Sequence, residues 1–177
     1  CAYTWLGAVL ANYLSAYQAK QGDGTDLMHL CDVLNNTPAA QLQAALPAVL
    51  SVDAFYRYAA VMNATTNIDS YLESGKDHFL YIDEVHGDGT TLPFDCNEAM
   101  EGSTTLDPWY MTTNTYRPAF TKTLQFQDWR QRYKAHLRSV VDESMNPTYL
   151  NPIINHYHSL IAADVAADTK KLYTTAQ

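Results

Sequence analysis

The segment Asn67–Met100 differs in character from the sequence on either side of it. It opens with a polar, irregular stretch and then contains two apolar runs, His78–Ile82 and Thr90–Phe94, separated by a Gly-Asp-Gly turn. Two short apolar runs joined through glycines predict a β-hairpin. An isolated two-stranded hairpin is marginal in water, so this one has to pack against other elements.

Long amphipathic patterns flank the hairpin on both sides. Apolar residues at three- and four-residue spacing, with glycine and proline at the breaks, predict six helices. Their ranges are 2–19, 26–34, 38–46, 52–64, 125–143 and 150–172. The aromatic-rich stretch 101–123 is expected to be an ordered loop. We therefore predict a mainly α fold with one small β-hairpin, forming a single domain over residues 1–177.

Burial follows from the same patterns. The last helix is expected to turn one apolar face inward. That face consists of Ile153, Ile154, Tyr157, Leu160, Ile161 and Val165. The thirteen tyrosines are expected to be half-buried with their hydroxyl groups in water.

Composition narrows the class of protein. The chain has 47% apolar residues, enough for a core, and a formal charge of −8 from 11 basic and 19 acidic residues. An acidic surface argues against nucleic acid as a partner. No run reaches the roughly 18 apolar residues of a membrane span. The chain opens on Cys1 without a methionine, so we expect processing or a fragment.

Cysteines and sequons give weaker indications. Three cysteines without a Cys-x-x-Cys pair argue against a zinc site, whereas Cys1 and Cys31 could form a disulfide in an oxidising compartment. Two N-glycosylation sequons begin at Asn35 and Asn63 and slightly favour secretion.

Four polar residues around the hairpin are the candidate site. Asp69 lies in the loop before it, Asp77 directly before the first strand, Asp95 at the end of the second strand and Asn97 two residues later. Facing carboxylates suit phosphoryl transfer, in which one orients an attacking hydroxyl and another holds a divalent metal. In that interpretation Asp69 is catalytic, Asp95 and Asp77 hold the metal, and Asn97 supports the metal site.

Each of these residues also has an ordinary structural explanation. Asp69 could cap a turn, Asp95 could terminate a strand, Asp77 could pair with Lys76 at the surface, and Asn97 could cap the next turn. Asp69 and Asp95 could also form a glycosidase acid/base pair, a possibility that depends on the separation of their carboxyl groups.

Several sequence words resemble the CotH family of spore-coat and cell-surface atypical protein kinases. Residues 51–61 (SVDAFYRYAAV) resemble its DVDxFLRYLAV helix, and residues 67–71 (NIDSY) resemble its NLDSY loop. Residues 77–81 (DHFLY) and 93–100 (PFDCNEAM) resemble NYYLY and PWDLNxAF. The four words occur in the family's order. Asp77 replaces an asparagine of the pattern.

The resemblance implies an atypical protein-kinase-like C-lobe with Asp69 as the catalytic-loop aspartate and Asp95 as a metal-binding aspartate. It implies ATP and Mg²⁺ or Mn²⁺ as cofactors, and secreted or cell-surface proteins as substrates phosphorylated on Ser or Thr. A secreted or cell-surface location follows. The N-terminal lobe that carries the nucleotide-binding lysine is expected to be absent from this chain. The alternative is a catalytically inactive surface protein that binds a partner protein.

Overall fold

A computed structural model describes residues 2–174, and helices dominate it. The helices and strands in chain order are α1 (Leu10–Ala16), α2 (Thr25–Asn36), α3 (Ala39–Ala45), α4 (Val52–Ala64), β1 (His78–Ile82), β2 (Gly89–Pro93), α5 (Pro118–Thr121), α6 (Gln127–Ser139) and α7 (Pro147–Ala167). A 3₁₀ turn follows α3, and a π-helical turn follows α6. The predicted fold class, mainly α with one small hairpin, is confirmed.

The hairpin is antiparallel and is fastened to the start of α4. His78 pairs with Pro93 at one end of the ladder and Ile82 with Gly89 at the other. Gly89 donates its N–H to Val49 O at 3.0 Å and accepts from Ser51 N at 2.9 Å. These two bonds give the pair of strands the support that an isolated hairpin lacks.

The chain divides into two compact units, one up to Arg138 and one from Ser139. Aromatic rings fill the core of the first unit. Phe55 of α4 meets Tyr71 edge-to-face with ring centroids 5.0 Å apart. Phe120 of α5 lies 5.3 Å from Phe55 and 5.7 Å from Tyr133 of α6. Such offset and edge-on pairs add roughly 0.5–1.5 kcal/mol each beyond their buried area.

The N-terminal helix prediction is wrong for residues 2–9. Helix α1 starts only at Leu10, and the segment before it places Tyr3 in the core, completely buried. The Tyr3 hydroxyl hydrogen-bonds Thr91 Oγ1 at 3.0 Å, and Asn35 Nδ2 donates to Tyr3 O at 2.8 Å. These distant partners override the helical pattern of the sequence.

Most other boundaries agree with the predictions within a few residues. Helix α4 and strand β1 match them, whereas the short helix α5 lies inside the stretch 101–123 that we expected to be a loop. The tyrosine prediction is also wrong for five residues, whose side chains are fully buried with their hydroxyl groups bonded to protein. They are Tyr3, Tyr13, Tyr56, Tyr71 and Tyr133.

The unit from Ser139 contains α7, which begins at an N-cap. The Asn146 side chain accepts a hydrogen bond from Thr148 N, and Pro147 occupies the first turn. The expected inward face is not found, because no residue of α7 is buried. None of the helices in the described part of the chain is long and apolar enough to span a bilayer.

The sequon asparagines and the cysteines differ in their exposure. Asn63 is buried and donates to Asp107 O, and Asn35 donates to Cys31 O and Tyr3 O. Both asparagine side chains therefore make hydrogen bonds within the fold. Cys31 is a buried thiol and Cys96 an exposed one. Cys1 of the suggested disulfide lies outside the described residues.

Candidate catalytic and metal site

The loop between α4 and β1 carries Asp69 on a backbone held at several points. Asn67 donates its N–H to Met62 O at 2.9 Å, which starts the loop against the last turn of α4. The Ser70 hydroxyl donates to Asn67 O at 2.7 Å and accepts from Leu72 N at 3.2 Å. Asp69 therefore sits within a tight turn, and its position is fixed by its neighbours' bonds.

Two buried side chains, Tyr71 within the loop and Arg117 outside it, bind the loop to other parts of the chain. The Tyr71 hydroxyl donates to Ala2 O and accepts from Ala119 N, both at 3.0 Å. Arg117, which is only 8% exposed, donates from Nε to Leu72 O at 3.0 Å. Because these partners lie outside the loop, the loop is part of the core rather than a mobile surface segment.

The register of the hairpin brings Asp77 and Asp95 near each other. Because His78 pairs with Pro93, the residue before β1 lies beside the residue after β2, and Phe94 donates its N–H to Asp77 O at 3.3 Å. Asp95 is the next residue. Both aspartates have left-handed backbones, with φ of 46° for Asp77 and 48° for Asp95. Aspartate tolerates this conformation better than most residues, and such positions concentrate at functional sites.

Asp69 and Asp77 have pKa values displaced in opposite directions. The Ser74 hydroxyl lowers the pKa of Asp69, with smaller contributions from Asp77 and Lys76. Partial burial raises the pKa of Asp77, and the neighbouring Asp69 carboxylate raises it further. Two carboxyl groups whose pKa values diverge in this way can take different roles, with Asp69 the more readily ionised of the two.

Asp95 is the outer member of the group. It is exposed, and its charge contributes to the raised pKa of Asp77. When the Asn97 amide is oriented so that its oxygen and its nitrogen both face suitable partners, the nitrogen donates to Asp95 O at 3.1 Å and to Asp95 Oδ1 at 3.0 Å. Asn97, expected beside the metal, is thus placed to orient the Asp95 carboxylate.

Among the residues that the structure describes, one cation forms an ion pair with these acids. Lys76 Nζ lies 3.5 Å from Asp69 Oδ1, and the lysine side chain is 64% exposed. An exposed pair of this kind contributes at most about 1 kcal/mol. The close ion pair that the sequence suggested for Lys76 and Asp77 is made by Lys76 with Asp69 instead.

The oxygen ligands suit a hard divalent cation. Mg²⁺ is held in proteins by one or two carboxylates and keeps several water or phosphate oxygens as its remaining ligands. Asp69, Asp77 and Asp95 are more widely spaced than a closed cage, because the only three-residue group within residues 2–174 whose ligand atoms all lie within 4.8 Å is found elsewhere. Asp69, Asp77 and Asp95 therefore do not form a preassembled metal cage.

The compact group lies in the turn of the hairpin and consists of Asp83, His86 and Asp88. His86 Nδ1 hydrogen-bonds Asp83 Oδ2, which raises the pKa of His86 and lowers that of Asp83. Five-residue strands separate this turn from Asp77 and Asp95, a distance of roughly 16 Å. Sequence reasoning did not identify this group.

Sequence reasoning also missed the burial of His78, the residue that follows Asp77. His78 of β1 is packed against Tyr3, Tyr58 and Tyr71, and its Nδ1 donates to Lys76 O at 2.8 Å. Burial lowers the pKa of His78 to about 4. The neutral imidazole of His78 adds no charge next to Asp77. The aromatic partners of His78 lie elsewhere in the sequence, so no local sequence pattern indicates that His78 is buried and neutral.

Comparison with known proteins gives one match and one negative result. None of the curated proteins is significantly similar to the chain. The model of a family described as CotH kinase protein matches residues 8–177. That range includes the Asp69 loop, the whole hairpin and Asp95. Since the match spans nearly the entire sequence, the chain belongs to the CotH kinase family.

Proposed function

We propose that this chain carries the catalytic loop and metal-binding aspartates of a protein kinase that transfers the γ-phosphoryl group of ATP to Ser or Thr of secreted or surface proteins. The observation that supports it most is the register of the hairpin, which brings Asp77 beside Asp95, with the Asp69 carboxyl next to that of Asp77. That arrangement occurs in a member of a kinase family.

In this proposal each of the four side chains has a separate role. Asp69, which its lowered pKa keeps ionised, orients the attacking hydroxyl and takes up its proton as the hydroxyl oxygen bonds to phosphorus and the bond to the nucleoside diphosphate breaks. Asp77 and Asp95 would hold the divalent ion, and Asn97 would keep the Asp95 carboxylate oriented. When bound, the ion offsets the charge of the phosphate oxygens.

A non-catalytic function is the second candidate, because the hairpin exposes apolar side chains next to the site. Phe79 and Phe94, with ring centroids 4.6 Å apart, are 38% and 48% exposed, and Leu92 is 43% exposed. Tyr116 in the stretch 101–123 is 72% exposed. Exposed aromatic surface of this kind is common where proteins bind one another.

The decisive experiment compares Mn²⁺ binding and phosphoryl transfer in matched variants. Calorimetric titration should show that Asp77→Asn and Asp95→Asn each weaken Mn²⁺ binding by about tenfold or more. Asp88→Asn in the hairpin turn is the control, and it should leave the main binding event unchanged. When a nucleotide-binding lobe is supplied together with this chain, transfer of labelled γ-phosphate from ATP should occur and should be lost in Asp69→Ala and Asp95→Ala.

The outcomes separate the two candidates. Unchanged transfer in Asp95→Ala would refute the assignment of the site. Mn²⁺ binding that depends on Asp77 and Asp95 without any transfer would favour the non-catalytic function. Binding that is lost only in Asp88→Asn would move the metal to the group in the hairpin turn.

A further inference from the structure

Helix α7 presents an apolar face along its whole length. Its 21 residues extend about 31 Å at 1.5 Å per residue, and none is buried. Seven large apolar side chains on it are between 37% and 65% exposed, namely Tyr149, Ile153, Ile154, Tyr157, Leu160, Ile161 and Val165. Their three- and four-residue spacing places them on one side of the helix, the pattern of a helix that packs against another helix.

The charges of α7 exclude several partners for this face. No residue from Pro147 to Ala163 is Asp, Glu, Lys or Arg. Helices that lie on membrane surfaces combine an apolar face with Lys and Arg on the other face. Helix α7 contains no Lys and no Arg. A partner recognised by ion pairs is disfavoured for the same reason. The best complement is another neutral, apolar helix face.

Two acids at the end of α7 favour one arrangement of such a pair. Asp164 and Asp168 follow Tyr157 by seven and eleven residues, so they lie on the apolar face. They sit at the C-terminal end of the helix, where the helix dipole disfavours negative charge, while the first turn has no acid. In a parallel pair the acids would face their own copies, whereas in an antiparallel pair they lie beside the partner's positive N-terminus.

The area of the face is sufficient for a specific interface. Seven side chains of this size, each roughly half exposed, offer on the order of 600 Å² per copy, close to the ~800 Å² per partner of a standard interface. We propose that α7 pairs antiparallel with α7 of a second copy of this chain, with the two-fold axis near Tyr157. In this arrangement Asp168 of each copy lies beside Pro147 of the other, and Ile154 contacts Ile161.

Analytical ultracentrifugation tests the dimer. We expect a dimer with a dissociation constant of about micromolar order. Tyr157→Asp places two carboxylates together at the axis and should weaken the dimer at least ~100-fold. Ser159→Asp adds the same charge on the opposite side of α7 and should leave the dimer intact. A monomer at all concentrations, or the same behaviour in both variants, would overturn the proposal.

Disulfide cross-linking tests the direction of pairing independently of variant stability. Cys1 and Cys96 are replaced by serine, and Cys31 stays because its thiol is buried and burial raises its pKa to about 12. In this background Tyr157→Cys should form a dimer on mild oxidation, whereas Leu150→Cys should not. Cross-linking through both positions would show a parallel pair and refute the antiparallel arrangement, and cross-linking through neither would refute the interface.

Discussion

At the scale of single residues, tyrosine hydroxyls connect the buried parts of the chain. Tyr56 donates to Thr123 Oγ1 at 2.7 Å, Tyr133 donates to Pro108 O at 3.0 Å, and Tyr58 accepts from Tyr71 N at 3.2 Å. Each of these bonds joins segments that are separate in sequence. An unbonded buried hydroxyl costs about 1–3 kcal/mol, so the pairing of these groups matters for stability.

The same burial predicts how stability responds to alkaline pH. Loss of solvation raises the pKa of Tyr58 to about 12 and those of Tyr3, Tyr56, Tyr71 and Tyr133 well above their usual value. An unfolded tyrosine titrates near pH 10. A folded pKa above the unfolded one means that this stabilisation is complete below pH 10 and is lost as pH rises towards 12.

We therefore expect the chain to unfold cooperatively between about pH 10 and 12. Circular dichroism would report the helices, and absorbance at 295 nm would report tyrosinate. A large part of the 295 nm signal should appear only together with the loss of helix. Complete titration of all thirteen tyrosines while the helical signal persists would contradict this expectation.

Some residues of the site could be recognised from sequence, and others could not. Asp69, Asp77 and Asp95 were chosen because carboxylates bracket a predicted hairpin, and the structure brings Asp69 and Asp77 together. The left-handed backbone of Asp77 and Asp95 has no signal in sequence. Nor does the Tyr3–Thr91 bond, whose partners are 88 residues apart.

At the scale of elements, prediction succeeded where local signals were complete. Strand β1 and helix α4 were predicted with their observed bounds because turn residues or a strong apolar period defined them. Prediction failed for residues 2–9, where burial of Tyr3 outweighs a helical pattern, and for the apolar face of α7, which is exposed. Periodicity identifies an apolar face but not what covers it.

The Asp69 loop depends on a glycine at one position. Gly75 has φ of +69°, and an added Cβ would lie 3.2 Å from Ala2 Cβ and 3.5 Å from the Arg117 guanidinium carbon. Gly22 has nearly the same φ, +75°, but an added Cβ would have no neighbour within 4 Å. The two glycines therefore separate backbone strain from crowding.

We expect Gly22→Ala to lower the free energy of unfolding by about 1 kcal/mol through strain alone. Gly75→Ala should cost about 1–3 kcal/mol more, because Ala2 or Arg117 must move. Urea denaturation would measure both variants against the wild type. An equal loss of unfolding free energy in the two variants would show that the loop adapts to the extra methyl group and that crowding at Gly75 is not important.

At the scale of the whole molecule, burial is concentrated in the unit up to Arg138. Apart from Val140, every buried residue of the described chain belongs to that unit, and α7 contributes none. The proposed catalytic and metal-binding residues belong to it as well. Stability and the proposed chemistry are thus assigned to one unit, and the proposed pairing of copies to the other.

This division predicts the effect of removing the residues after Met145. The deletion removes no buried residue among those that the structure describes, so the free energy of unfolding should change by less than about 1 kcal/mol. The deletion also removes the proposed dimer interface. The melting temperature of the full chain should therefore rise with protein concentration, because association stabilises the native state, while that of the shortened chain should not. Scanning calorimetry over a hundredfold range of concentration measures both melting temperatures.

Unfolding of the shortened chain at all temperatures would show that α7 stabilises the rest of the chain. A concentration-independent melting temperature for the full chain would argue against pairing through α7.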